Sequence, residues 1–127
     1  MITFTSPQHE KNFREHLASF DRDAHLMVDG QKYELTLDDL REVAAEGQYF
    51  HCSPGHYNSS VTARLVDVAR RRFGPKLVRA QVLALCAATL RTTVDAVEHS
   101  LDFTANYMAM HDGTTPEENH PYARSEP

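Results

Sequence analysis

The stretch from Leu77 to Leu90 constrains this chain more than any other. Leu77, Val78, Val82, Leu83, Leu85, Cys86, Ala87, Ala88 and Leu90 spread over nearly the whole circumference of a helix. A helix that is apolar all round has no face to offer water, so it is expected at the centre of the fold, with the rest of the chain as its cover. The chain has 127 residues, 41% of them apolar and 24% charged, enough for one ordinary core. No run of 18 apolar residues occurs, so no membrane span is expected. Residues 1–7 lack a basic start and an apolar stretch, and the two cysteines, Cys52 and Cys86, are too few for a disulfide scaffold. The expectation is a soluble cytoplasmic protein with reduced thiols.

The covering elements can be read from local signals. Ser6 and Pro7 mark a helix start, and Phe13, Leu17 and Phe20 form the apolar stripe of a helix over 7–20. Asp29-Gly30, flanked by alternating residues, is the signature of a two-residue hairpin turn, which predicts a β-hairpin over about 24–36 with Leu26 opposite Tyr33 and Ala24 opposite Leu35. Ala24, Leu26, Val28, Tyr33 and Leu35 then share the inner face. Thr36-Leu37-Asp38-Asp39 has the form of a capping box and predicts a short helix over 37–46, with Gly47 at its end. Residues 48–59, with Pro54-Gly55 inside, read as a loop rich in aromatic residues and histidine.

Three helices are expected in the C-terminal half. In the first, Val61, Leu65, Val66, Val68, Ala69 and Phe73 lie on one arc with Arg64, Asp67, Arg70 and Arg71 opposite, so the guanidinium groups should face out. Gly74-Pro75 ends it, and the buried helix follows. The last, over about 92–111, carries two apolar stripes on opposite faces, an inner one (Val94, Val97, Leu101, Ala105, Met108) and a second (Phe103, Tyr107, Met110, with Ala96). Residues 112–127 read as a flexible tail. The fold class is therefore α+β, mainly α: one compact domain over 1–111, in which a helix, hairpin and helix (1–47) and the 48–59 loop precede a helical part (60–111).

Charge is unevenly distributed. Residues 1–59 carry 5 basic and 10 acidic side chains, residues 60–94 carry 7 and 1, and residues 95–127 carry 1 and 7, so a segment of +6 sits between flanks of −5 and −6. Such a segment suits either phosphates or an acidic protein, unless it pairs with its own flanks.

Three constellations are candidates for function. His51, Cys52 and His56 offer metal-ligating or nucleophilic groups, with His99, His111 or Cys86 as the further zinc ligand required, yet no accompanying C-x-x-C or H-x-x-x-H pattern is present. A helix-turn-helix across the last two helices is suggested by Ala84, Ala88, Val94 and Val97, but the turn lacks Gly, and Asp95 and Glu98 stand where phosphate and base contacts need basic or amide groups. The second stripe of the last helix is of the residue types enriched in interfaces. The reading that follows is a non-catalytic interaction protein, a small regulator, adaptor or inhibitor, which meets a protein partner or a second copy of itself through Arg64, Arg70, Arg71, Phe103, Tyr107 and Met110. The alternative is a DNA- or RNA-binding regulator using residues 60–94, and a third is a metal- or cysteine-dependent enzyme. No cofactor is called for.

Overall fold

A computed structural model describes residues 2–47 and 54–122, with the side chains of 46–58 outside the description. The chain is mainly helical with one two-stranded antiparallel hairpin. Its first helix, α1 (Pro7–Ser19), starts where Ser6 accepts a hydrogen bond from the His9 N–H at 3.1 Å, with Pro7 in the first turn. Phe13 and Phe20 are buried as the stripe requires. His9 and His16, four positions before Phe13 and three after it, are buried on the same side.

The hairpin is shorter than 24–36: β1 is Leu26–Val28 and β2 is Gln31–Tyr33. Its register is the expected one, Leu26 facing Tyr33, with Asp29 and Gly30 both at positive φ (51° and 80°) as a primed turn demands. Leu26, Val28 and Tyr33 turn towards the core while Met27 faces out, and the Tyr33 ring meets Phe73 edge-on at 5.5 Å. The Ala24 and Leu35 positions lie beyond the paired strands, though Leu35 is buried.

Thr36 and Asp39 form the reciprocal cap predicted for α2 (Leu37–Gly47): Thr36 Oγ1 accepts from the Asp39 N–H at 3.2 Å and Asp39 Oδ2 from the Thr36 N–H at 2.9 Å. The following helix corrects the loop assigned to 48–59, because α3 runs Pro54–Phe73 and so takes in residues 54–59. Proline fits a first helical turn, where its missing N–H would have no intrahelical partner, so Pro54-Gly55 is a helix start rather than a turn. Gly74 follows α3, its N–H bonded to the Arg70 carbonyl at 2.7 Å, and a Cβ there would stand 2.5 Å from that oxygen.

The all-round apolar helix is α4 (Arg79–Leu90). Val82, Leu83, Leu85, Cys86, Ala87 and Thr89 are buried, and the helix packs against α3, α5 and β1. It ends at Arg91, which takes the left-handed conformation (φ 57°, ψ 46°), and Thr92 N–H bonds back to the Ala87 carbonyl at 2.9 Å. Thr93 caps α5 (Val94–Asp112) by accepting from the Ala96 N–H. Val97, Leu101 and Ala105 of the inner stripe are buried, whereas Val94 is exposed.

The expected tail is corrected over 113–122. Gly113 closes α5 at φ 69°, a Thr115–Glu118 capping box starts the short α6 (Pro116–Asn119), and Tyr122 is buried beneath the Arg70 and Arg79 guanidinium groups at 5.3 and 5.5 Å from the ring centre. The segment therefore folds back on α3 and α5.

Candidate functional site

Arg64, Asp67 and Arg71 recur along one side of α3 at helical spacing, so their charges meet along the helix. Arg64 donates to Asp67 at 2.9 Å and, across to α2, to Glu42 at 2.7 Å. Arg71 lies 3.3 Å from Asp67, Arg72 3.1 Å from Asp39, and Arg79 3.4 Å from Glu98. The acidic flanks and the basic middle of the sequence thus meet in space. Each such surface pair is worth only about 0–1 kcal/mol, but together they neutralise much of the positive field that the sequence concentrates in one segment. Arg64 corrects the expectation that the guanidinium groups of α3 face out, since its side chain is only 19% exposed. Arg70 stacks on Tyr122, and Arg71 is the more exposed of the three.

The six expected contact residues do not form one surface. Arg64 and Arg70 line a cavity of about 390 Å3 between α3, α5 and residues 118–121, to which Asp67, Thr104, Met108 and His120 also contribute. Phe103, Tyr107 and Met110 lie about a third of a turn away from Thr104 and Met108 on α5, and none of the three lines that cavity. Phe103 and Tyr107 are half-buried, the Tyr107 ring packs on His111 at 4.4 Å, and Met110 is 83% exposed.

Sequence reasoning passed over Thr104, His120 and Tyr122. The hydroxyl of Thr104 is buried with no hydrogen-bond partner among the described residues. His120 Nε2 sits 3.3 Å from Asp102, and burial holds its pKa below the ordinary histidine value although that carboxylate pulls the other way. A signal for this region existed in the Thr115-Pro116-Glu117-Glu118 capping pattern and in the lone aromatic that follows it. A second cavity, about 340 Å3, lies where α1 meets the α4–α5 corner and is lined by His16, Thr62, Thr92 and Ser100 among others.

His51 and Cys52 lie outside the described residues. His56 falls in the first turns of α3, with its side chain outside the description. Of the further candidate zinc ligands, Cys86 is in the core, where burial pushes its thiol up to about 12, so it is not a ready thiolate. His99 is exposed on α5, and His111 is the residue stacked on Tyr107. Among the described residues no group of three or more His, Cys, Asp and Glu side chains is placed to hold a metal ion.

The axes of α4 and α5 bend by 98° about Arg91-Thr92-Thr93. That is the angle and connection length of a helix-turn-helix, with Arg91 in the left-handed conformation that glycine usually supplies. The solvent side of α5 nevertheless begins with Asp95 and Asp102, and Glu98 engages Arg79. No single helix among the described residues is long and apolar enough to cross a membrane. Comparison with models of protein families, with curated proteins and with solved structures gave no match.

Proposed function

We propose that the chain is a non-catalytic interaction protein, a small cytoplasmic regulator, adaptor or inhibitor, whose contact face is the Phe103, Tyr107 and Met110 side of α5. The observation that carries this reading is Met110, a large apolar side chain 83% exposed beside two half-buried aromatic rings of the same helix face. Such a cluster gains free energy by leaving water against a complementary surface, and methionine and tyrosine are residues on which interfaces draw. The basic segment takes a smaller part than its composition suggests, because Arg64 is held within the chain and Arg71 shares Asp67 with it.

Light scattering on the purified chain provides the first test. If the face joins two copies, the wild type is a dimer and Met110→Glu is a folded monomer. If the wild type is monomeric, a photo-crosslinking residue at position 110 is expected to trap a discrete partner in the native cells, and the same group at the exposed Lys76 is not. A monomer that forms no adduct from position 110 overturns the reading.

A second reading, nucleic-acid binding, is favoured by one observation, the 98° corner between α4 and α5 with its left-handed Arg91. Electrostatics oppose it. A recognition helix that leads with Asp95 and continues with Glu98 and Asp102 faces phosphates with like charge, and Arg64, Arg71 and Arg72 of α3, which would compensate, already meet carboxylates.

A further inference from the structure

We propose that the 390 Å3 cavity between α3, α5 and residues 118–121 binds a small organic anion, a carboxylate or a phosphate monoester that carries a hydroxyl or carbonyl group on its body. The volume is in the range of small-ligand sites, and the walls divide into a charged rim and a mixed floor. On the rim, Arg64 is held by Glu42 and Asp67, and Arg70 by its stack on the Tyr122 ring. A guanidinium fixed in this way loses little freedom on meeting a planar anion. His120, steered by Asp102, adds an imidazole to the lining from the folded-back segment. Two carboxylates also line the cavity. Asp67 is shared between Arg64 and Arg71, and Glu118 accepts the Thr115 N–H in the α6 cap, so each has a role in the fold that an anion need not displace.

The floor supplies the observation that points to an organic ligand rather than to a bare ion. Thr104 is 6% exposed, its Oγ1 is buried without a hydrogen-bond partner among the described residues, and it lines the cavity beside Ala63 and Met108. A buried hydroxyl without a partner is unfavourable until something supplies one, and Ala63 and Met108, which also line the cavity, offer apolar surface to a short carbon body. The anionic head then meets Arg70, the body lies over Met108, and its oxygen reaches Thr104. The site does not depend on the docking reading, because Met110 and its neighbours lie off the cavity.

The test is a titration of the full chain, followed by amide chemical shifts, with lactate, glycerol 3-phosphate and inorganic phosphate as probes. At least one of the two organic probes is expected to saturate with a Kd below about 1 mM, and which of them does so identifies the head group. Arg70→Gln is expected to weaken that probe at least about tenfold. Thr104→Val is expected to weaken it about tenfold while leaving thermal stability unchanged or higher, since the substitution removes the unpaired hydroxyl at nearly constant shape. A purely structural role for Thr104 would move stability and leave the binding curve where it was. Met110→Glu is expected to bind the probe as the wild type does. Failure of both organic probes to saturate by about 10 mM overturns the proposal, as does equal binding by Arg70→Gln, or tight inorganic phosphate binding that ignores Thr104→Val.

Discussion

Replacing Leu85 with alanine is expected to destabilise the fold by about 2–5 kcal/mol, the range for truncating a large aliphatic side chain in a closed core. Leu85 is fully buried in the middle of α4, the helix that touches α3, α5 and β1, so removing its branched end leaves a void bounded by several elements that cannot all close on it. A domain of this size is stable by only about 5–15 kcal/mol, and the variant should show a much lower urea midpoint with a similar slope. Met110→Ala is the control. With 83% of its surface already in water, its truncation should change stability by less than about 0.5 kcal/mol. Similar losses at the two positions would contradict the central placement of α4.

Acidification is expected to remove roughly 2–3 kcal/mol of stability between pH 6.5 and 4 through His16 alone. Burial on the inner side of α1 lowers the imidazole pKa from 6.5 to about 4, with the neighbouring Glu15 carboxylate opposing the shift. The sign follows from which state binds the proton. Below 6.5 the unfolded chain protonates His16 while the folded chain does not, so stability is complete above pH 6.5 and falls as the pH drops towards 4, where the folded form begins to protonate as well. The figure is reduced from the full linkage value because the ring borders a cavity that admits solvent. Urea unfolding at pH 7, 5.5 and 4, on the wild type and on His16→Gln, checks it: the loss should shrink in the variant. An equal loss in both proteins would assign the acid response to other groups.

The parts of this fold that were legible in the sequence are those decided within a few residues. Asp29-Gly30 set both the turn and the Leu26–Tyr33 register, since positive φ at two successive positions leaves few other choices. Thr36 and Asp39 announced α2 in the same way, and the apolar circumference of α4 announced its burial. Where one local signal has two meanings, sequence reading chose wrongly. Pro54-Gly55 marks a turn or a helix start equally well, and only the packing of α3 against its neighbours chooses between them. The segment after Gly113 looked too polar to order, yet it holds the same kind of capping box as Thr36 together with Tyr122, which needed Arg70 and Arg79 nearby in space to be buried. His9 and His16 were missed because polarity, not position on the α1 face, governed their assignment.

Charge shows the limit most clearly. The alternation of acidic, basic and acidic zones was plain in the sequence, but its meaning depended on pairings such as Arg64 with Glu42, 22 residues apart, which only the packing of α2 on α3 creates. The candidate contact face was legible as a second stripe on α5, because helical periodicity alone places Phe103, Tyr107 and Met110 together. The cavity was not, since its walls come from α3, α5 and the folded-back segment.

If the pairing of Arg64, Arg71, Arg72 and Arg79 with carboxylates leaves too little positive field for a polyanion, and contact is made by the apolar face of α5, the chain should be indifferent to nucleic acid. Anisotropy of a labelled generic duplex, titrated with the chain between about 50 and 200 mM salt, tests this most directly. No saturable binding is expected at the lower salt, and no change on replacing Arg70 and Arg71 with glutamate. Tight binding that falls steeply with salt and disappears in that double variant would contradict the internal pairing, and would make the 98° corner between α4 and α5 a nucleic-acid-binding element.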